Sequence, residues 1–286
     1  MIEYLNSLPE DIEEINVSNK GLTNLDVTRF KKLKTLNCNN NQLTSLYLNE
    51  NLQGLSCYNN QLTSLHLNEN LQTLWCNYNL LTSLHLNENL QTLYCNYNQL
   101  TSLHLNANLQ YLSCYNNQLT SLHLNENLQT LSCYNNQLTS LQLNKNLKKL
   151  CCGNNQLTSL HSTNLLELSC KNNQLTYLHL NEKLEYLNCQ NNQLNSLHLN
   201  EKLKLKIISY NNNPICEIIG VKAPIKQLNI LNKFKYLYYS LKYKKRFRDL
   251  LWIKIREPRI REKYSHDYLV ANLHEDTDLD ELLENW

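Results

Sequence analysis

A unit of 19 residues recurs along most of this chain and limits the possible folds more than any other feature. One copy begins at Leu52 and reads LQGLSCYNNQLTSLHLNEN. A longer first unit begins at Ile12, and a decayed last unit passes through Ile207. A unit this short cannot bury its own apolar side chains, so stacked units must share one core. The other copies begin at Leu33, Leu71, Leu90, Leu109, Leu128, Leu147, Leu165 and Leu184.

Each unit follows the pattern LxxLxCxxNxLxxLxLxxN, whose positions are numbered from its first Leu. Apolar and polar residues alternate around position 4, as at Leu55 and Cys57, and a period of two predicts a strand. The second half repeats this spacing at Leu62, Leu65 and Leu67, so we expect that side to be extended rather than helical. Two sides of similar width predict low curvature. At about 4.8 Å per stacked strand, the rod would be on the order of 50 Å long.

This pattern resembles that of leucine-rich-repeat proteins over residues 12 to about 214, with Cys in place of the third Leu. The resemblance implies a right-handed solenoid with a parallel sheet along one side. The predicted fold is therefore a mainly β repeat solenoid with a small α-helical C-terminal cap. We expect an N-terminal cap and first atypical repeat at 1–32, the solenoid at 33–214 and a helical region at 215–286. In the last unit, Ser209 is expected to replace Cys and Pro214 to replace Leu, as decay at a terminal repeat.

Two repeat positions are expected to have a structural role. Nine of the eleven cysteines occupy position 6, and a column of inward thiols is interpreted as small apolar packing. Asn at position 9 lies where the chain bends, and its amide can satisfy backbone groups of neighbouring turns. The expected structural ladder comprises Cys57, Cys76, Cys95, Cys114, Cys133, Asn60, Asn79, Asn98, Asn117 and Asn136.

Positions 3, 5 and 7 of the predicted strand face outward and carry aromatic residues in the middle units. Tyr and Trp dominate binding hot spots because they give a large rigid contact area with a polar tip. Aromatic residues also favour strands for structural reasons, so a simple side-chain ladder is the alternative. The residues proposed to bind a partner are Tyr58, Trp75, Tyr94, Tyr111, Tyr115 and Tyr134.

Position 15 carries His in most units, beginning with His66 and His85. Such a column could bind a transition metal or respond to acid. The favoured interpretation is an exposed strand residue copied by duplication, because no carboxylate or thiol converges with it. Enzyme motifs such as GxSxG, a P-loop and HExxH are absent, and every Ser, His or Cys of the array belongs to a repeated column. We therefore expect no catalytic residue, no metal site, no cofactor and no enzymatic activity.

The composition changes after Pro214. Residues 222–263 contain fourteen Lys or Arg and three acidic residues, whereas residues 264–286 contain seven acidic residues and no Lys or Arg. The spacing predicts one or two helices between Pro224 and Pro258. The basic stretch could cap the solenoid and pair with the acidic end, bind nucleic acid through phosphates, or lie on an anionic membrane surface. The cap is favoured, because a solenoid needs one and the charges largely cancel.

The N-terminus shows no secretory signal and no apolar run is long enough to span a membrane, so we expect an intracellular protein. The C-terminal sequence and the repeats also resemble proteins of giant amoebal DNA viruses of the mimivirus type. That resemblance implies action in a host cell or in the virion. The favoured function is a monomeric protein-interaction scaffold whose partner is a protein, for example a host protein. Nucleic-acid or anionic-surface binding through the basic segment and a purely structural rod are the alternatives.

Overall fold

The computed structural model describes residues 7–161, 164–197 and 205–216. These residues contain thirteen strands of three residues each. Their bounds are β1 Glu14–Asn16, β2 Asn24–Asp26, β3 Thr35–Asn37, β4 Ser45–Tyr47, β5 Gly54–Ser56, β6 Thr73–Trp75, β7 Thr92–Tyr94, β8 Tyr111–Ser113, β9 Thr130–Ser132, β10 Lys149–Cys151, β11 Glu167–Ser169, β12 Tyr186–Asn188 and β13 Ile207–Ser209.

Eleven strands form one parallel sheet, in which β1 is followed by β3 and then by β5 to β13 in sequence order. Equivalent residues of successive units are paired, so Leu74 lies between Leu55 and Leu93. Hydrogen bonds continue past the ends of the strands, as from the backbone N–H of Cys57 to the carbonyl of Trp75 at 2.8 Å. In most of these strands the middle residue is buried and its two neighbours face outward, which follows from the period of two. The predicted parallel-sheet solenoid is confirmed.

The second half of each unit forms the other side of the turn and is held mainly by side chains. Among the described residues, strand pairing on this side is limited to β2 with β4 and a single bridge between His161 and His179. Leu65 at position 14 is buried, whereas Leu67 at position 16 is half-buried against the core. Packing of these leucines therefore takes the place of a hydrogen-bonded sheet on this side.

The core is one continuous cluster that runs through every described unit. Leu at positions 1, 4 and 11 is fully buried in the middle units, as at Leu90, Leu93 and Leu100. At the N-terminal end, Val17 takes the place of the buried Cys, and Phe30 is a fully buried aromatic residue of the same core. Stacking thus buries apolar surface that no single unit could bury alone.

The last described unit differs from the sequence-based expectation by one residue. Asn188 pairs with Ser209, so Tyr210, which is 3% exposed, takes the buried place of Cys. Ile215 occupies the next buried position, and Pro214 is exposed. The assignment of Ser209 to the Cys position and of Pro214 to the Leu position was wrong, because the step into this unit is longer than 19 residues.

The chain divides into two compact units, Met1–Asn229 and Ile230–Trp286, and all described residues belong to the first. The helical cap predicted within residues 215–286 lies outside the described residues beyond Cys216. Within the described part of the chain, no helix has the length and apolar character needed to cross a bilayer.

Candidate binding face of the parallel sheet

The bend after each sheet strand is closed by the Asn at position 9. At Asn117 the side-chain Nδ2 donates to the carbonyls of Cys95 and Cys114, each at 3.0 Å. Its Oδ1 accepts from the backbone N–H of Leu100 at 3.0 Å. This buried amide therefore ties its own turn to the preceding one and leaves few backbone groups unpaired. The same bonds are made by Asn60, Asn79, Asn98 and Asn136.

Position 8, one residue earlier, has a left-handed backbone in every described unit. Nine of these units carry Asn there, with φ between 53° and 57°. Their amides form a second ladder along the rod, in which Asn59 donates to Asn40 at 2.8 Å and Asn135 donates to Asn116 at 2.5 Å. The two remaining units carry Tyr78, with φ 54°, and Tyr97, with φ 52°. These tyrosines interrupt the amide ladder and lie in a conformation that Asn tolerates better than an aromatic residue does.

A first row of rings crosses the outer face of β6, β7 and β8. Trp75 stacks on Tyr94 with 6.1 Å between ring centroids, and Tyr94 contacts Tyr111 at 4.8 Å with a tilt of 35°. Trp75 and Tyr94 occupy position 5 of their units, whereas Tyr111 occupies position 3. Burial raises the pKa of Tyr111 to about 12, and a side-chain hydrogen bond with Tyr94 adds to the effect, so the phenol stays neutral at physiological pH.

A second row runs beside the first, at the end of the same strands. Tyr78 and Tyr97 stack at 4.2 Å, Tyr97 meets the edge of Tyr115 at 5.4 Å, and Tyr115 stacks on Tyr134 at 4.2 Å. Its residues occupy position 8 in the first two units and position 7 in the next two. Both rows therefore shift toward lower repeat positions along the rod. The pKa of Tyr78 is raised by a side-chain hydrogen bond with Tyr97, and that of Tyr134 is raised mainly by burial. The phenols of Tyr78 and Tyr134 therefore stay neutral at physiological pH.

Two asparagines at position 7, Asn77 and Asn96, lie between the two rows in sequence, in the units where the rows occupy positions 5 and 8. Asn77 Oδ1 accepts from the backbone N–H of Asn96 at 2.9 Å. Asn96 Oδ1 in turn accepts from Ser113 Oγ at 2.8 Å and from the backbone N–H of Tyr115 at 3.0 Å. Position 7 was expected to point outward, but Asn96 is only 4% exposed because its Oδ1 bridges to the next strand.

The six aromatic residues predicted from the sequence are not equivalent in the structure. Five lie in the two rows, whereas Tyr58 lies outside them and its hydroxyl accepts from Asn40 Nδ2 at 3.2 Å. Trp75 is 38% exposed, and the other five are half-buried.

The sequence-based set missed three exposed residues in the units of Trp75 and Tyr94. Tyr78 and Tyr97 are 50% and 40% exposed, and Leu80 is also exposed. The signal was present in the sequence. In these units the usual order Tyr-Asn at positions 7 and 8 is reversed to Asn-Tyr, and Leu80 stands where most units have Gln.

The face is uncharged in its middle part. Residues 51–144 contain three Glu and no Asp, Lys or Arg, and the Glu residues lie outside the strands at position 18. Ion pairs on the sheet lie near its ends, as between Lys34 and Glu13 at 3.0 Å and between Lys149 and Glu167 at 2.7 Å. A partner that contacts the two aromatic rows therefore meets hydrogen-bonding and apolar groups without fixed charge.

The position-6 thiols lie under this face. Cys57, Cys76, Cys95, Cys114 and Cys133 are fully buried and unpaired. Desolvation raises the pKa of Cys76 and Cys114 to about 12 and shifts the others in the same direction, so these thiols are neither nucleophiles nor ligands at neutral pH. Among the described residues, no group of three or more His, Cys, Asp or Glu converges as a metal site would require.

Comparisons with known proteins agree with this architecture. No protein-family model matches the sequence, and no curated protein is significantly similar to it. The functional domain of InlJ from Listeria monocytogenes, which includes a cysteine ladder, is similar in structure with 29% identity and a TM-score of 0.67. That match covers 76% of this chain and 51% of the other.

A second similar structure is YopM, a leucine-rich effector protein from Yersinia pestis, with 29% identity and a TM-score of 0.67. It covers 72% of this chain and 62% of the other. YopM from Yersinia enterocolitica is 25% identical with a TM-score of 0.56. The chain thus has the fold of leucine-rich-repeat proteins, and it spans less than two thirds of the length of these similar chains. Solenoids of this kind present extended surfaces for binding, which is the general role that the fold supports.

Proposed function

We propose that this protein is a non-catalytic scaffold that binds a protein partner through the aromatic face of its sheet. The observation that carries the proposal is the stacked pair Tyr78 and Tyr97, held with φ 54° and 52° at positions where every other described unit has Asn. With Trp75, they are the most exposed aromatic residues on the sheet side among the described residues. Its position among the half-buried residues Tyr94, Tyr111, Tyr115 and Tyr134 supports a role for the larger predicted set.

Stability alone gives no reason for these two tyrosines. A non-glycine residue in the left-handed region costs on the order of 1 kcal/mol, and Asn is the residue that reduces this cost through local hydrogen bonds. Asn at both positions would also continue the amide ladder that joins Asn40 to Asn59 and Asn116 to Asn135. Strained residues that expose a large apolar surface are typical of binding sites.

The proposal is tested by affinity capture from host-cell lysate at about 0.15 M and about 1 M salt. The variant carries Trp75→Ala, Tyr94→Ala and Tyr115→Ala. Its matched control carries Tyr47→Ala and Tyr177→Ala, which remove exposed aromatic residues outside the two rows. We expect a partner that stays bound at high salt, because the face is uncharged, and that the variant loses while the control retains it.

A partner that is kept by the triple variant but removed by salt or nuclease would contradict the proposal. That result would support the alternative, in which the basic segment 222–263 binds nucleic acid or an anionic surface through its excess of Lys and Arg. Absence of any specific partner would support a purely structural rod. We propose the regions 1–32, 33–214 and 215–286 as the domains of the chain. The middle region would be the one that binds the partner.

We also propose that the protein acts as a monomer inside a host cell or in a virion of the giant amoebal virus type. The eleven cysteines form no disulfide, and this supports a reducing compartment. The C-terminal resemblance to viral proteins supports the setting. A host protein is then the partner that we propose.

A further inference from the structure

Asn96 holds a hydrogen-bond donor that no group of the described chain uses. Its side chain is 4% exposed, and its Oδ1 accepts from Ser113 Oγ and from the backbone N–H of Tyr115. A backbone N–H can only donate, so the amide orientation is determined and Nδ2 must point away from that bond. Asn96 Nδ2 is not among the unpartnered side-chain atoms that are fully enclosed within the described ranges, which are five Oδ1 atoms. The donor therefore keeps a small exposed surface that an acceptor from outside the chain can contact.

Further unused donors lie beside Asn96. Asn77 accepts from the backbone N–H of Asn96 through its Oδ1, and its Nδ2 has no acceptor among the described residues. Trp75 Nε1 likewise donates to no described group, and the ring is partly exposed. The strip between the two aromatic rows thus combines ring surfaces with hydrogen-bond donors and lacks charge. A ligand that matches this strip is a neutral chain with many hydrogen-bond acceptors.

A proline-rich segment in the polyproline II conformation has this chemistry. Its backbone presents carbonyl acceptors without competing N–H groups, and its pyrrolidine rings pack against aromatic side chains. The dimensions also agree. Three residues of this helix advance about 9.3 Å, and two turns of the solenoid advance about 9.6 Å at about 4.8 Å each. Every third residue of the segment would therefore meet every second turn of the rod.

The second aromatic row sets the length of such a segment. Tyr78, Tyr97, Tyr115 and Tyr134 lie on four successive turns, which span about 14 Å at the strand spacing. A polyproline II segment of about five residues covers that distance. The segment lies along the rod axis, between the row of Trp75 and the row of Tyr78.

We propose that the strip between the two aromatic rows binds an uncharged, proline-rich segment of the partner protein in the polyproline II conformation. The Nδ2 groups of Asn77 and Asn96 and the Nε1 group of Trp75 donate to carbonyls of the segment. The rings of the two rows enclose its prolines. This inference rests on the proposed function and specifies the chemistry of the partner.

The test is calorimetric titration of the full chain with an acetylated and amidated decaproline peptide, at about 0.15 M and about 1 M salt. A blocked Gly-Ser peptide of equal length is the control ligand. We expect the wild type to bind decaproline with little salt dependence and not to bind the Gly-Ser peptide. Trp75→Ala removes an exposed ring and a donor, and is expected to weaken binding at least tenfold.

Asn96→Asp is the decisive variant, because it keeps the Oδ1 acceptor and replaces the Nδ2 donor with a carboxylate oxygen, and the negative charge that it adds is also added in its control. Its matched control is Asn39→Asp, since Asn39 Oδ1 accepts from Ser56 Oγ at 2.8 Å and from the backbone N–H of Tyr58 at 2.9 Å but lies outside both rows. We expect at least tenfold weaker binding for Asn96→Asp and unchanged binding for Asn39→Asp. Far-UV circular dichroism checks that both variants fold, and the surface variant Trp75→Ala tests the proposal if either does not.

Two results would overturn the inference. One is decaproline binding that is equally tight in the wild type, Trp75→Ala and Asn96→Asp. The other is absence of decaproline binding, including the case in which a neutral oligosaccharide such as cellohexaose binds in its place and is lost in both variants. If the wild type does not bind decaproline but the captured partner still requires the aromatic rows, this inference fails while the proposed function stands. If the captured partner also binds equally well when the rows are mutated, both the inference and the proposed function fail.

Discussion

At the scale of the residue, the side-chain amide is the group that makes this rod possible. Each turn bends within a few residues of a buried strand, and a bend inside a core leaves backbone groups without partners. Asn117 meets this need with two donors and one acceptor, all used within the protein at 3.0 Å. Asn96 uses only its acceptor in this way. The same residue type therefore closes the core at one position and leaves a donor without an acceptor at another.

Truncation of a buried amide should cost far more than truncation of an exposed one. Asn117→Ala leaves three backbone groups of the core unpaired and is expected to lower the free energy of unfolding by about 3 kcal/mol. Asn127→Ala is the matched control, since its exposed Nδ2 makes one bond, to the carbonyl of Ala107 at 2.9 Å. We expect it to cost less than about 0.5 kcal/mol. Urea unfolding measures both, and equal losses would refute this account of the position-9 ladder.

At the scale of the element, each turn adds a strand of three residues with one buried side chain, followed by a buried thiol. Cys95, Cys114 and Cys133 are fully buried in consecutive turns. Sulfur is compact and polarizable, so it suits the narrow place where the chain leaves the sheet and begins to bend. Burial also keeps these thiols protonated. The stability that the position-6 column contributes should therefore depend on pH in the alkaline range.

The protein should lose stability as the pH rises above about 9. Burial raises the pKa of Cys114 from 9.0 to about 12, so between these values the unfolded chain releases a proton that the folded chain retains. The folded state then binds more protons, and the free energy of unfolding falls with increasing pH. We expect a lower urea midpoint at about pH 10 than at about pH 8. The double variant Cys114→Ala and Cys133→Ala should show a shallower pH slope, and an unchanged slope would contradict the explanation.

At the scale of the whole molecule, the described solenoid is a one-dimensional stack in which each turn contacts its neighbours. Its middle part from 51 to 144 lacks Lys, Arg and Asp, while ion pairs such as Lys149 with Glu167 lie toward the ends of the sheet. Stability is then approximately a sum over turns and interfaces. Function, by contrast, is concentrated in the few turns that carry the aromatic rows.

Removal of one complete turn should be tolerated. Deletion of residues 128–146 takes out 19 residues and rejoins an Asn to a Leu in the original register. We expect the shortened protein to unfold cooperatively in urea, with an m value reduced by roughly one turn's share of the buried surface. Deletion of residues 128–137 is the contrasting case. It removes strand β9 and leaves its outer half without a sheet partner, so a large loss of stability is expected. Equal behaviour of the two deletions would contradict a stack of repeating turns.

The sequence by itself determined the architecture, because the leucine, cysteine and asparagine columns repeat with one period and only a stacked solenoid buries all of them. It also determined which side the residues at positions 3, 4 and 6 face, since that follows from a period of two, but not the exposure at positions 7 and 8, which lie beyond the strand. The register of Tyr210 in the last unit could not be read in the same way, because an irregular step precedes it.

Only the tertiary structure decided which aromatic side chains form a surface. Tyr94 contacts Tyr111 across different repeat positions, whereas Tyr58 bonds to Asn40 and stays apart. A left-handed backbone brings Tyr78 into a row that the strand pattern alone excludes. Repeat spacing determines on which side of the sheet a side chain lies. Contacts between rings also depend on backbone angles and on the stagger between neighbouring turns. The candidate site therefore depends on three-dimensional geometry, while the fold follows from the periodicity.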